Sequence, residues 1–357
     1  MAEREVASDD AMIVGIGMMT AVGLSAAETT ASVRAGVMRF EESALYDRQF
    51  QPFTLAEVPE PGLPDLNLNL LHTGLTSREA RMVRLATQPI RECTARLPDA
   101  QRPLALILAL PESDTTLPLD PQRFLDALAH QVTAVFDPAA SVASLRGRAG
   151  GIAAVGYGCE HLRSGNADFV LVGGVDTYRD LYVLGTLNAE NRVKTAQDLD
   201  GFIPGEGAGF LLLATRKAAD SAGLPPFAAI PAWAAAIESG HMYSDQPYRG
   251  DGLATAIQQL AAAASASLPV REVYSSMNGE SHWAKEWGVG FMRNSSAFDE
   301  AHGMHHPADC FGDTGAAAGP IMTGLAALGI RGGYRRSPAL AYGSSDRGDR
   351  AALIVTT

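Results

Sequence analysis

Short runs of apolar residues, most of them ended by glycine or a turn signal, recur along the chain. Such runs predict strands that are buried on both faces, as in sheets covered by helices on both sides. The predicted strands are residues 12–17, 104–110, 169–176, 207–214, 227–239, 271–279, 338–342 and 350–355. Buried strands of this kind indicate a layered protein with a large apolar core.

Helical patterns lie between these strands. Ser25 as N-cap and Gly36 as a stop signal delimit a helix over 25–35. A second helix is predicted from Ser77 to Leu97, and its inner stripe consists of Met82, Leu85, Ile90 and Leu97. Further helices are predicted over 121–132, 150–163, 251–266, 283–292 and 315–328. Residues 132–136 fit either a helix end or a strand, and the aperiodic segment 41–76 predicts a long loop.

The alternation of strands and helices predicts an α/β architecture. With 357 residues, the chain is longer than one ordinary domain, and the pattern restarts near residue 223. We therefore predict two similar halves, residues 1–222 and 223–357. Residues 1–11 are polar and acidic, so we expect them to be disordered.

Composition excludes several classes of protein. Hydrophobic residues make up 46 % of the chain, which excludes disorder as its dominant state. The net charge is −12, whereas duplex-binding proteins need a basic surface. No run of about 18 apolar residues predicts a membrane span, and no secretory signal is evident. The three cysteines, widely spaced, build no disulfide framework, so we expect a reducing, cytoplasmic location.

Four segments, in order, resemble the β-ketoacyl synthases of the thiolase superfamily. They begin with IVGIGMMTAVGLSAAETTASVRAG and LRSGNADFVLVGGVD, and end with DTGAAAGPIMTGLAAL. The most specific is DGFIPGEGAGFLLLA, residues 200–214. The resemblance implies a five-layer αβαβα sandwich of two pseudo-symmetric halves. It also implies a homodimer formed through the strand before the nucleophile, and acyl condensation by one cysteine and two histidines.

The resemblance places the three catalytic positions on Arg148, Asn278 and Gly312. A slip of one residue at the first position gives Gly147 or Ala149. None of these can act as a nucleophile or a titrating base, because an arginine side chain stays protonated and an amide does not titrate. The sequence therefore predicts that no catalytic residue is present and that condensation has been lost.

Other differences from the family concern the surroundings of these positions. The upstream lysine of the family falls at Pro307, and Cys159, the nearest thiol to Arg148, lies 11 residues further along a helix. The glycine-rich C-terminal loop is replaced by a polar, charged segment over 344–350. We expect Cys159 to be a core thiol.

A remodelled cleft is expected where the catalytic residues would stand. An isolated buried arginine is very costly, so Arg148 requires a partner, and Glu280 is the partner that we predict. The alternative is that Arg148 reaches solvent or a dimer partner. The candidate cleft residues are Arg148, Asn278, Glu280, His305, His306, Cys310 and Asp313.

Two motifs in the chain resemble a metal site and a nucleotide-binding site. The first contains His302, His305, His306, Asp309, Cys310 and Asp313, which lack a second ligand pair at zinc spacing, so we expect no metal. The second is GEGAG, which lacks the Lys-Ser/Thr of a phosphate loop and leads into a strand, so we expect no cofactor. Asp200, Gly205, Glu206 and Gly207 form a structural motif, and the resemblance implies that Glu206 ties loops together.

Three functions remain open from the sequence. The first is a catalytically inactive, thiolase-fold protein that acts as a binding, scaffold or accessory protein; one such setting is beside a secretion or effector system. The second is the non-catalytic subunit of a ketosynthase heterodimer. The third is an acyl-transferring enzyme with a rearranged site at Cys310 or the histidines of 302–306. We expect a protein partner, whose identity the sequence does not give, in a homodimer or a heterodimer.

Overall fold

A computed structural model describes residues 10–113 and 118–357. We predicted disorder over residues 1–11, and residues 1–9 lie outside the described ranges. The prediction is wrong for Ala11, which begins the first strand. No helix in the described ranges is both long and apolar enough to cross a membrane.

The structure consists of thirteen strands and ten α-helices in these ranges. The strands are β1 Ala11–Thr20, β2 Glu41–Tyr46, β3 Pro52–Leu55, β4 Leu106–Leu110, β5 Val142–Leu145, β6 Phe169–Thr177, β7 Glu206–Ala214, β8 Ala228–Ile230, β9 Trp233–Ile237, β10 Val270–Ser275, β11 Phe298–His305, β12 Ala339–Ser344 and β13 Asp349–Val355. The helices are α1 Ala26–Arg34, α2 Ser77–Thr94, α3 Pro121–Val132, α4 Gly147–Arg163, α5 Leu181–Ala189, α6 Arg216–Ser221, α7 Asp251–Ala263, α8 Ser281–Arg293, α9 Ala308–Phe311 and α10 Ala318–Arg331.

The two main sheets repeat one topology. The first has the order β5-β4-β6-β7-β1-β8 and the second β11-β10-β12-β13-β9. In each, the first three strands run parallel and the next two pair antiparallel. The connection between β5 and α4 in one half therefore corresponds to the connection between β11 and α10 in the other.

Five layers follow from the packing of the helices. Helices α2 and α3 cover the outer face of the first sheet, and α7 and α8 cover the outer side of the second. Helices α4 and α10 lie between the sheets and contact both. They cross at glycines: a Cβ atom on Gly151 would lie 2.5 Å from the Ala316 carbonyl oxygen, and one on Gly319 would lie 2.4 Å from the Gly151 backbone.

Local signals for helices agree with the structure. The Ser25 side chain accepts a hydrogen bond from the Glu28 N–H and caps α1, as predicted. Helix α2 begins with a capping box formed by Thr76 and Glu79. The predicted stripe of Met82, Leu85, Ile90 and Leu97 is buried against the first sheet.

Short or exposed elements were harder to predict. The predicted loop over 41–76 contains the hairpin of β2 and β3, whose half-exposed residues give no apolar run. Strand β5 has four residues at a sheet edge. The predicted strand over 227–239 is two strands, because Pro231 and Ala232 separate β8 from β9.

The division into halves at residue 223 stays a prediction. Strand β8 lies beyond that point and pairs with β1 in the first sheet. The chain enters the second sheet only at Trp233, where β9 begins.

Candidate functional site

The candidate site lies where β5 ends and α4 begins. Gly147 has φ +57°, a conformation that favours glycine, and it turns the chain from the strand into the helix. Arg148 follows in the first turn and is only 2 % exposed. A positive side chain at a helix N-terminus is unfavourable on its own, so its partners determine whether this position is stable.

Each nitrogen of the Arg148 guanidinium group donates to a residue of the segment 313–346. Its Nη1 donates to Asp313 Oδ2 at 2.6 Å, its Nη2 donates to Asp346 Oδ1, and its Nε donates to the Ser344 carbonyl at 2.8 Å. The guanidinium group also lies 4.8 Å from the centre of the Trp283 ring. The two carboxylates provide the negative charge that a buried guanidinium requires.

A second buried arginine extends the cluster. Arg192 Nε donates to Glu280 Oε1 at 2.8 Å and its Nη1 donates to Asp346 Oδ2 at 2.7 Å. Asn278 Nδ2 donates to Glu280 Oε2 at 3.1 Å and to Asp313 Oδ2 at 2.8 Å. We call this set the Arg148 network; its members are Arg148, Arg192, Asn278, Glu280, Asp313 and Asp346.

The prediction that Arg148 pairs with Glu280 is wrong. Arg148 pairs with Asp313 and Asp346, whereas Glu280 pairs with Arg192. Glu280 is one step removed, because Asp346 binds both arginines. The alternative that Arg148 reaches solvent is also wrong, since the side chain is buried.

Two arginines face three carboxylates in the Arg148 network, and the pKa values reflect this balance. Burial opposes ionisation of Asp346, but Arg148 and Arg192 overcome it and lower its pKa well below the usual range. Burial likewise opposes the charge of Arg148, and Asp346 and Asp313 overcome it and raise the pKa. At neutral pH Asp346 and Arg148 are therefore charged.

Glu112, at the edge of the network, behaves in the opposite way. Burial and the neighbouring charge of Asp346 raise the pKa of Glu112 to about 7. Its carboxyl group accepts hydrogen bonds from the N–H groups of Asp346 and Arg347, at 3.0 and 3.1 Å. A large fraction of Glu112 is thus neutral near pH 7, which limits the negative charge in the site.

The loop between β12 and β13 closes the start of α4. The Ser345 hydroxyl accepts from the Ala149 N–H at 2.9 Å and donates to the Arg146 carbonyl at 2.5 Å. The adjacent cavity, which Arg148 lines together with Asp176 and Tyr178, has a volume of about 20 Å³. This is room for about one water molecule.

The other candidate residues lie in a different place. His305, His306 and Cys310 line a separate pocket of about 340 Å³, formed by α1, β10, β11 and the segment after α10. His305 Nε2 lies 2.7 Å from Glu272 Oε2, and His306 Nδ1 lies 2.8 Å from Ser275 Oγ. Gly312 has φ +69°, and a Cβ atom there would lie 2.7 Å from the Ile203 carbonyl oxygen.

Burial disfavours the thiolate form of Cys159 and Cys310. A reactive cysteine needs a lowered pKa and access. Burial raises the pKa of Cys159 to about 12 and also raises that of Cys310. In residues 10–113 and 118–357, no group of three or more His, Cys, Asp or Glu side chains is arranged to hold a metal ion.

The Gly-Glu-Gly motif contributes hydrogen bonds at the sheet end. Glu206 accepts from the Val58 N–H, from the Thr177 hydroxyl and from two nitrogens of Arg81, all within 2.7 Å. Asp200 accepts from the N–H and hydroxyl of Ser281 at the start of α8, which lowers its pKa. A Cβ on Gly205 would lie 2.5 Å from the Phe311 carbonyl oxygen, and one on Gly207 would lie 2.8 Å from that of Met19.

Sequence reasoning missed Arg192 and Asp346. The signal for Asp346 was the polar segment over 344–350, which supplies an acid where the resemblance implies a glycine-rich loop, and Arg148 needed an acidic partner. No comparable signal marks Arg192, which follows α5 in a loop that the sequence did not define.

With this geometry established, the class of fold is clear: the chain has the thiolase-like α/β fold of ketosynthases. The model of the β-ketoacyl synthase N-terminal domain matches residues 140–219, which include the start of α4, β6 and β7. The predicted fold is confirmed. No curated protein matches the chain in sequence.

Several solved structures have folds similar to that of this chain. The ishigamide ketosynthase/chain length factor superposes with a TM-score of 0.81 at 19 % identity, over 98 % of this chain and 99 % of that one. A type II polyketide ketosynthase, solved in complex with its acyl-carrier protein, has a TM-score of 0.77 at 15 % identity, covering 98 % and 99 %. An oxazolomycin ketosynthase domain from Streptomyces albus has a TM-score of 0.78 at 15 % identity, covering 98 % and 74 %.

Proposed function

We propose that this protein is a non-catalytic ketosynthase-like subunit that acts in a heterodimer with an active ketosynthase. The observation that carries the proposal is the buried Arg148, held by Asp313 and Asp346 at the start of α4. A nucleophile would need that position, and a guanidinium group cannot attack a thioester. The small cavity beside Arg148 leaves no room for an acyl chain.

The comparisons favour this function over a general accessory or scaffold role. One of the most similar structures is a ketosynthase/chain length factor, and another is a ketosynthase in complex with its acyl-carrier protein. Both cover nearly all of this chain without a further domain. A partner subunit of the same fold and size would fit this pattern. As part of the proposal, we place the subunit in the cytoplasm, as its cysteine content predicts.

The free edge of β5 is the surface that we assign to the partner. Strand β5 pairs with β4 on one side and ends the first sheet on the other. Its first residue, Val142, is an exposed apolar side chain. An unpaired strand edge of this kind can add a strand from another chain.

The test is co-expression with an intact ketosynthase, and the proposal predicts that a gene for one lies beside the gene for this protein. We expect a 1:1 complex in size-exclusion chromatography with light scattering. Val142→Asp should weaken the complex at least tenfold. Met292→Asp, at a still more exposed apolar position on α8, is the control and should leave the complex unchanged.

A chemical arm tests inactivity separately. The protein alone, incubated with acyl and malonyl thioesters, should neither gain an acyl mass nor release carbon dioxide. An acyl adduct that disappears in Cys310→Ala would instead support the rearranged enzyme. A stable homodimer that excludes the ketosynthase would overturn the heterodimer.

A further inference from the structure

The pocket that contains Cys310 is separate from the Arg148 network and has the features of a ligand site. It is built from the end of α1, from β10 and β11, from α9 and from the turn after α10. Its volume of about 340 Å³ is at the lower end of the range for small-molecule sites. We call it the Arg34–Arg335 pocket, after the two arginines that line it.

These arginines lack acidic partners. Neither Arg34 nor Arg335 forms an ion pair with a carboxylate in the described parts of the chain. Instead both lie near one ring: the guanidinium group of Arg34 is 4.4 Å from the centre of Tyr334, and that of Arg335 is 5.7 Å. These ring contacts do not neutralise the guanidinium groups. Apart from the N–H that Arg335 directs at the Tyr274 hydroxyl, N–H donors of both arginines remain available.

The acids near the pocket do not cancel this charge. Glu272 is engaged by His305 and by Arg336 Nε, at 2.7 and 3.2 Å. Among the described residues that line the pocket, Asp309 is the one carboxylate, so the two guanidinium groups outnumber it. Two unpaired guanidinium groups in a protein of net charge −12 are therefore a local positive site.

The remaining walls are apolar or neutral. Tyr274 and Leu325 are buried, and the ring of Tyr274 lies 4.7 Å from that of His305. Burial and the nearby Arg335 lower the pKa of His305, although Glu272 opposes them, so the imidazole is neutral at pH 7. Such walls favour a flat or aliphatic body beside the charged rim.

We propose that the Arg34–Arg335 pocket binds a small molecule that carries an oxyanion, a carboxylate or a phosphate, on an apolar body. The oxyanion would receive N–H donors from Arg34 and Arg335, and the apolar body would lie against Tyr274 and Leu325. This site does not depend on the proposed heterodimer, since no residue of β5 or of the Arg148 network lines it.

Isothermal titration with four probes tests the proposal on the full chain. Benzoate and phenyl phosphate carry both features, benzyl alcohol lacks the charge, and inorganic phosphate lacks the apolar body. We expect at least one of the first two to bind, and at least tenfold more tightly than the last two. Whichever of benzoate and phenyl phosphate binds more tightly identifies the oxyanion.

Substitutions locate the binding. Arg34→Gln and Arg335→Gln should each weaken it at least tenfold. Arg331→Gln is the matched control, because Arg331 stacks on Phe227 at the same 4.4 Å but lies outside the pocket. Binding of neither anionic probe at millimolar concentration, or equal losses in all three variants, would overturn the proposal.

A footprint of Cys310 provides a readout that needs no arginine variant. Cys310 is 8 % exposed and lines the pocket, whereas Cys93 and Cys159 are more deeply buried elsewhere. Alkylation of Cys310 by iodoacetamide should be slow, because burial raises the pKa of this thiol. A bound probe should slow it at least threefold further, measured by mass spectrometry against the same protein incubated without probe. An unchanged rate at saturating probe would place the ligand elsewhere.

Discussion

The Arg148 network and the Arg34–Arg335 pocket both contain two arginines, but their guanidinium groups face different surroundings. In the Arg148 network, three buried carboxylates surround two arginines, and the adjacent space holds about one water molecule. In the pocket, the arginines stack on Tyr334 and border a cavity of about 340 Å³. In the network, the arginines are paired with carboxylates of the protein itself. In the pocket, the arginines have no such partners among the described residues and are available to a bound anion.

Arg148→Met should produce the largest change in stability. It leaves Asp313 and Asp346 buried with one partner fewer, so we expect the free energy of unfolding to fall by about 3–5 kcal/mol. Urea denaturation measures this, and Arg331→Gln should stay within about 0.5 kcal/mol of the parent protein. In Arg148→Met/Asp313→Asn the loss should be smaller than the sum of the single losses, because the second change removes an unpaired charge. A loss under about 1 kcal/mol in Arg148→Met would show that the network is not tightly coupled.

Gly151→Ala tests the helix crossing on which the network is built. The new methyl group would meet the Ala316 carbonyl oxygen at 2.5 Å, and backbone atoms cannot rotate away. We expect a loss of about 1–3 kcal/mol in the same assay. Gly185→Ala, in α5, is the matched control: no atom lies within 4 Å, and the better helix propensity of alanine should stabilise by up to about 1 kcal/mol. Equal effects would mean that the crossing can relax.

The raised pKa of Glu112 predicts a pH dependence specific to the Arg148 network. Since its pKa is about 7 in the folded protein and near 4.5 when unfolded, the folded state holds a proton that the unfolded state has lost. Its favourable contribution is complete below pH 4.5 and disappears as the pH rises through 7. The parent protein should therefore lose stability as the pH rises from 5 to 7.5. Glu112→Gln has no group that titrates at this position, so it should lose about 1–2 kcal/mol less over the same range.

The control for this pH dependence is Glu300→Gln, an exposed position on β11 outside the Arg148 network. It should follow the parent curve across the same range. If Glu112→Gln also follows that curve, then Glu112 is ionised in the folded state throughout, and the charge balance described for the network is wrong.

The smallest effect is expected for the Arg34–Arg335 pocket. Arg34→Gln and Arg335→Gln remove stacked, partly solvated side chains that form no ion pair in the described residues, so each should cost under about 1 kcal/mol of stability. The same urea assay that detects the loss in Arg148→Met measures it. A loss above about 2 kcal/mol would mean that these arginines hold the fold together, which would remove the contrast with the network.

Patterns that depend on a whole element were predictable from the sequence. The apolar runs identified β1, β4, β6 and β7, because a doubly covered strand must be apolar along its length. The Gly-Glu-Gly motif identified the fold, and the need for a buried partner correctly implied that Arg148 is paired. These are constraints that act on one segment at a time.

The partners of Arg148 were not predictable, since they depend on geometry between distant segments. Asp346 and Asp313 lie 198 and 165 residues from Arg148 in sequence. Sequence position placed Glu280 nearby, but the turn after β10 presents Asn278 to Asp313 and Glu280 to Arg192. Likewise, His305 and Cys310 line a pocket apart from the network, which their sequence positions near Gly312 did not indicate.

The packing of α4 against α10 at glycines does not depend on the side chains of the Arg148 network. Main chain packs on main chain there, so no side chain of the network sets the distance between the two helices. The side chains of the Arg148 network could therefore be replaced without changing the packing of the helices. They would have to be replaced together, because each guanidinium group depends on its carboxylates. Any attempt to install a thiol at the start of α4 would have to replace Arg148, Asp313 and Asp346 together.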